Sequence, residues 1–389
     1  MKKVFYLALI LLCATMLFSC AKKDTTENVV KIGLFQALSG NNGPGGRQQN
    51  GGIEYAHSLT PTVEIAGKTY KVEFVVADNQ SSTAHAPAAA QTLVAAGVSI
   101  SLGSFGSGVS IAASDTFGNA RIPAIGMTNT NPAVTLGNDH YFRLVYLDPF
   151  QGEVLATLAK TNFNATTAYV LTQQGDDYSV GLSNFFMETF RRGGGTVIQE
   201  FFPPGTSDFS PYVNTARARG AQVFMAPTSP TDAQLIIDQV NMQNLRIPLL
   251  AGDTWDSNVI VQGARGKNVQ IYVSTFYMEG GDPKFDSGFK SWLNANPQAL
   301  ANNGGNDIVA AATAIAFDAY YVALEAIKKA GTTDSRRVLE ALRGVVYDGV
   351  TGRIEFDQIG DCKRDFAFVK NLNTAEGKWE LVGRVSPQR

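Results

Sequence analysis

Polar side chains recur where short apolar runs end, and these residues set what chemistry the chain offers. Ser107 follows the run Ile100 to Gly103, and Thr128, Asn129 and Thr130 follow Ile122 to Ile125. Hydroxyls and backbone N–H groups beside a helix start suit a carboxylate. Asp148 and Asp253 add negative charge, which suits an ammonium. Asp148 has a second reading, as the cap of a helix opening at Pro149. Both ends of a zwitterion thus find candidate partners. Catalysis finds less support. The stretch Gly40-Asn41-Asn42-Gly43-Pro44-Gly45-Gly46-Arg47 lacks the Lys-Ser/Thr that a P-loop sets against phosphates, and it reads as a flexible loop. Gly103 to Gly108 lacks dinucleotide-fingerprint spacing. No Gly-x-Ser-x-Gly elbow occurs. His57, His85 and His140 show no metal spacing, so each reads as a surface or capping histidine. Asp176-Asp177 reads as a solvated turn, because adjacent side chains diverge. No catalytic residue, metal or cofactor is expected.

Such side chains need strand ends to hold them, and the sequence alternates strand and helix patterns. Val29 to Phe35, Val72 to Asp78, Ile100 to Gly103 and Ile122 to Ile125 read as strands. Gly51 to Leu59, Thr83 to Ala96, Ser107 to Phe117 and Pro149 to Phe163 read as the helices between and after them. The rhythm restarts at Ala168 to Leu171 and runs on to Ile247 to Leu250. Two such series imply two parallel sheets in an α/β protein. Asp307 to Ala330 is the longest helix candidate, ended by Gly331. The short strands after Arg353 suggest a chain returning to complete earlier sheets.

The 389 residues are 44% hydrophobic and 17% charged, enough for two globular units and too apolar for a disordered chain. Lys+Arg 32 against Asp+Glu 34 leaves no basic excess, so nucleic acid is not an expected partner. At the amino terminus, Lys2 and Lys3 precede an uncharged run from Val4 to Ala21, the pattern of a secretory signal over residues 1–19. Leu17-Phe18-Ser19-Cys20 resembles the lipobox of bacterial lipoproteins, which implies a lipid on Cys20 and a tether over 20–27. The expected location is the periplasm or cell surface, membrane-anchored. Loss of residues 1–19 removes two lysines and no acid, leaving a mildly acidic body. Cys362 is then the one cysteine left in that body, so no internal disulfide is expected.

The order of motifs from Val29 to Val382 resembles the periplasmic branched-chain amino-acid-binding proteins of ABC transporters. The residues that carry it include Lys31-Ile32-Gly33 with Leu38-Ser39-Gly40, Ala77-Asp78-Asn79, Leu102-Gly103-Ser104, Tyr141-Phe142-Arg143, Asp177-Tyr178, Asp208-Phe209-Ser210, Gly252-Asp253-Thr254-Trp255 and Phe356-Asp357. The resemblance implies a type I periplasmic binding protein fold, two Rossmann-like lobes joined by three hinge crossovers. One lobe is then expected over 28–147 and 277–364, the other over 148–276 and 365–389. By position, Ser107, Thr128 and Thr130 would hold a ligand's carboxylate and part of its ammonium, with Tyr178 and Asp253 closing from the other lobe. Gly45 stands where relatives often place an aromatic, which implies an enlarged pocket walled by Phe105 and Trp255, open to a larger or aromatic ligand. A disulfide of some relatives has no counterpart at Ser81 and Gly106. The function implied is capture of an amino acid or similar small amphoteric solute by a monomer that delivers it to a membrane permease. A sensor feeding a receptor is the runner-up; an extracytoplasmic enzyme is the rival class.

Overall fold

Two sheets organise the chain in the computed structural model, which describes residues 28–386. The signal and lipobox readings at 1–19 and Cys20 lie outside those residues. The first sheet runs in the order β2 (Thr62–Ile65), β3 (Lys68–Asp78), β1 (Val29–Gln36), β4 (Ile100–Leu102), β5 (Ala124–Gly126), β6 (Tyr141–Arg143). Every pairing in it is parallel except the β2–β3 hairpin. The second runs β15 (Lys378–Val385), β14 (Ala367–Asn373), β11 (Ile271–Thr275), β10 (Leu249–Ala251), β9 (Val223–Met225), β7 (Thr167–Gln173), β8 (Thr196–Phe202). It is parallel from β8 to β11, and β14 and β15 add to it antiparallel. A small hairpin of β12 (Val346–Gly349) and β13 (Gly352–Glu355) stands apart.

Burial follows from this layout. Central parallel strands are covered on both faces, so β4, β5, β9 and β10 are buried at every residue. The helix Ala311–Ala330 ends at its Gly331 cap and packs along the helix Gly43–Leu59, joining the later chain to the first sheet's layer. The helices Asp148–Phe163 and Asp177–Arg192 pack together against the second.

The glycine-rich segment after β1 departs from its sequence reading. Gly40 to Arg47 reads as a flexible loop, yet the helix already begins at Gly43. Its glycines serve close packing: a Cβ on Gly46 would lie 1.9 Å from the Ala37 carbonyl oxygen. His140 also differs. It is buried beneath the helix Ser107–Ala120, with Nε2 3.2 Å from the Ser114 hydroxyl, and burial pushes its imidazole below the usual range.

Candidate functional site

The carboxyl ends of the first sheet's strands present a braced set of loops. After β4, Gly103 to Gly106 turn the chain so that Ser107 opens the helix Ser107–Ala120, and its hydroxyl accepts from the Asn131 backbone N–H at 3.3 Å. After β5, Thr128 accepts from Gln49 Nε2 at 2.8 Å, and Asn129 Nδ2 donates to the Gly106 carbonyl at 2.8 Å. Arg143 lies under these loops, fully buried, and donates to the carbonyls of Asn129 and Asn131 at 3.0 and 2.8 Å. Its charge is matched by Asp361, 2.7 Å away. Thr130 is fully buried, and its hydroxyl meets no partner among the described residues.

The second sheet's strand ends bring the acids. Asp176 caps the helix Asp177–Arg192 by accepting from Ser179 N at 2.7 Å, which sets Tyr178 in the first turn. The Tyr178 hydroxyl donates to Asp253 Oδ1 at 3.3 Å, and Gln151 Nε2 donates to the same oxygen at 3.1 Å. Asp148 ties the two sides together, its backbone N–H donating to the Thr130 carbonyl at 2.9 Å. It makes no side-chain cap bond to its helix, and both carboxylate oxygens are buried without a hydrogen-bond partner among the described residues. Burial, with Gln151 and Tyr178 opposing it, pushes Asp253 up to about 7. Burial, partly offset by the nearby Thr130 hydroxyl and reinforced by the Asp253 charge, pushes Asp148 up to about 8. Neither acid has an ion-pair partner among the described residues, so an incoming cation would favour their charged forms.

The two apolar candidates sit differently. Trp255 is fully buried in the second sheet's core, and its indole N–H donates to the Thr228 hydroxyl at 3.1 Å. Phe105 lies over Gly45, where a Cβ would come within 2.4 Å of the ring, and packs with Ala37 and Ala312. The space left by the missing side chain at Gly45 is therefore taken up by Phe105, so the absent aromatic does not enlarge the pocket.

Loops from both sheets face one cavity of about 250 Å³, lined on one side by Asn41, Asn42, Ser81 and Gly106 and on the other by Asp176, Tyr178 and Thr254. Tyr178 is the one sequence-chosen residue on this lining, and its hydroxyl leads to Asp253 behind it. Polar bridges cross the gap. Thr231 Oγ1 donates to the Asn41 carbonyl at 2.9 Å, Ser257 Oγ to Gln48 Oε1 at 3.0 Å, and Asn131 Nδ2 to the Asp177 carbonyl at 2.8 Å. Sequence reasoning missed Gln151, which steadies Asp253, and it missed Asp176 as a lining residue. The signal for Asp176 was its place just beyond β7, since open parallel sheets bind ligands at strand carboxyl ends.

A polar cleft lined by loops from the strand ends of two α/β sheets, with buried acids beside it, is the architecture of a solute-binding protein. A family model described as periplasmic binding protein matches residues 29–373, and the chain belongs to that family. Its fold is that of type I periplasmic binding proteins. The chain is 27% identical over 338 residues to Leu/Ile/Val-binding protein homolog 3 of Brucella melitensis, covering 85% of this chain and 88% of that one. A leucine-binding protein from Thermotoga maritima superposes with a TM-score of 0.81 at 28% identity, covering 92% of this chain and 99% of that chain. A branched-chain amino acid transporter substrate-binding protein from Streptococcus pneumoniae, in complex with isoleucine, gives 0.79 at 23% identity, with 92% and 100% covered. The family indicates an extracytoplasmic location and solute binding as the activity.

Proposed function

We propose that the protein captures an amino acid, or a similar small amphoteric solute, between its two halves and delivers it to an ABC permease, working as a monomer anchored by lipid at Cys20. One half is 28–147 with 277–364 and the other is 148–276 with 365–389, hinged where the chain passes between them. Ser107, Thr128 and Thr130 receive the carboxylate, Asp253 and Asp148 receive the ammonium, and Tyr178 closes over the ligand. Phe105 backs the carboxylate side, and Trp255 fixes the turn that carries Asp253. What supports this reading is the pair of buried carboxylates, Asp148 and Asp253, which have no ion-pair partner among the described residues and lie near a cavity that loops of both sheets line. Ligand charge bridging the halves stabilises the closed form, and the closed form is what a permease reads.

Thermal-shift screening of the purified protein against amino acids, short amides, polyamines and aromatic acids tests it. A ligand at a hundred times its Kd adds about 2.7 kcal/mol of stability, which reads as a rise of several degrees in Tm. An α-amino acid should produce that rise, whereas its N-acetyl derivative, lacking the ammonium, should not. Equal shifts from both compounds would remove the acids from the site.

A further inference from the structure

We infer that the cleft selects amino acids whose side chains carry N–H donors, amide or cationic, over branched aliphatic ones. This rests on the proposed amino-acid function and concerns only which side chain the site accepts.

The cavity that loops of both sheets share is lined by polar and apolar groups in comparable measure, and its polar groups are amides, hydroxyls and a carboxylate. Asn41, Asn42, Gln80, Gln173, Asp176 and Ser229 line the cavity, with Pro204 and the Tyr178 ring as its apolar lining. An aliphatic ligand side chain entering there would strip water from amides and a carboxylate and return no hydrogen bonds, a cost that apolar contact does not offset. The apolar side chains that the sequence offered for an aliphatic wall are committed elsewhere: Phe105 fills the space over Gly45, and Trp255 lies in the second sheet's core.

The charge balance points the same way. Asp176 lines the cavity, and Asp232 lies just behind it, within 3.5 Å of the Asn41 amide. Asp148 and Asp253 stand deeper. The buried cations nearby are already matched, Arg143 by Asp361 at 2.7 Å and Lys370 by Asp256 at 2.9 Å. A single α-ammonium meets the inner acids and leaves Asp176 to a second donor group. A side chain ending in acceptors only, such as a carboxylate, would meet Asp176 as a like charge.

Isothermal titration of the full-length protein in detergent, with glutamine, arginine, leucine and glutamate as ligands, tests this. Glutamine or arginine should bind at least about tenfold more tightly than leucine, the scale on which sites built for hydrogen bonding reject ligands that lack it. Asp176→Asn keeps an oxygen to cap the helix and removes the charge, so it should weaken arginine several-fold more than it weakens leucine. Leucine binding as tightly as glutamine and arginine overturns the inference while leaving amino-acid capture standing. Binding of none of the four overturns the amino-acid reading itself, and this inference with it.

Discussion

Ligand capture should release a proton, and Asp253 is its source. Burial pushes this carboxyl up to about 7, so near neutrality the unliganded protein holds it partly protonated, while a ligand ammonium requires the carboxylate. With Asp148 keeping its proton and accepting through its carbonyl oxygen, each binding event below about pH 7 displaces about one proton from Asp253, and affinity should fall about tenfold per unit of acidification, or about a hundredfold by about pH 5. Stability of the unliganded protein carries the opposite sign. The folded state keeps a proton that the unfolded chain gives up near 4, so this contribution is full in acid and is lost as pH rises from about 4 through about 7. At about 1.4 kcal/mol per unit it amounts to several kcal/mol. Asp148, pushed up to about 8, carries the decline about one unit further. Titration calorimetry in buffers of different ionisation enthalpy counts the protons directly. Asp253→Asn should release one fewer proton and weaken binding about 30-fold or more, the low end of the cost of removing one partner of a buried charge pair. An affinity flat between about pH 5 and about pH 7, or a proton count unchanged by Asp253→Asn, would refute the reasoning.

Three further outcomes are expected. Asp361→Asn leaves Arg143 buried without its counter-charge and should cost about 3–5 kcal/mol in urea unfolding; a loss below about 1 kcal/mol would show that the pair is not what holds these loops. Gly46→Ala forces a Cβ against the Ala37 carbonyl and should cost about 1–3 kcal/mol, read as a lowered Tm, with an unchanged Tm counting against the close packing. Thr231→Val removes the hydroxyl that reaches Asn41 across the cleft and should weaken ligand binding by about fivefold, about 1 kcal/mol, without lowering the Tm of the unliganded protein. Equal losses in both measurements would mark that bond as structural.

The parts of the fold that were legible in the sequence were those with local signals. β1, β3 and β7 each hold a short apolar or β-branched run ahead of polar residues, and the helix Ala311–Ala330 is marked by its alanines and Gly331. Ser107, Thr128, Thr130 and Asp253 could be chosen because each follows such a strand, and strand ends are where an open sheet exposes side chains to a ligand. What stayed hidden depended on distant partners. β11 is five residues long and owes one edge to β14, nearly a hundred residues later in the chain. The glycines at 43–46 look like disorder until Ala37 is known to lie against them. His140 gains its burial from Ser114 and Gly118, on a helix that was readable in itself but whose packing over His140 the local sequence does not announce. The helix Pro283–Ala295 carried a readable start in Asp282-Pro283, where the aspartate accepts from Phe285 N, and an inward stripe of Phe285, Phe289 and Leu293.

Phe105 and Gly45 share one volume: whichever position carries the ring, the other has no room for one. Here the ring belongs to the segment that also delivers Ser107, so the side chain filling the space over Gly45 and the proposed carboxylate anchor ride on the same stretch of backbone. Altering residue 105 therefore disturbs the packing over Gly45 and the proposed anchor at Ser107 together, unless residue 45 is exchanged in concert.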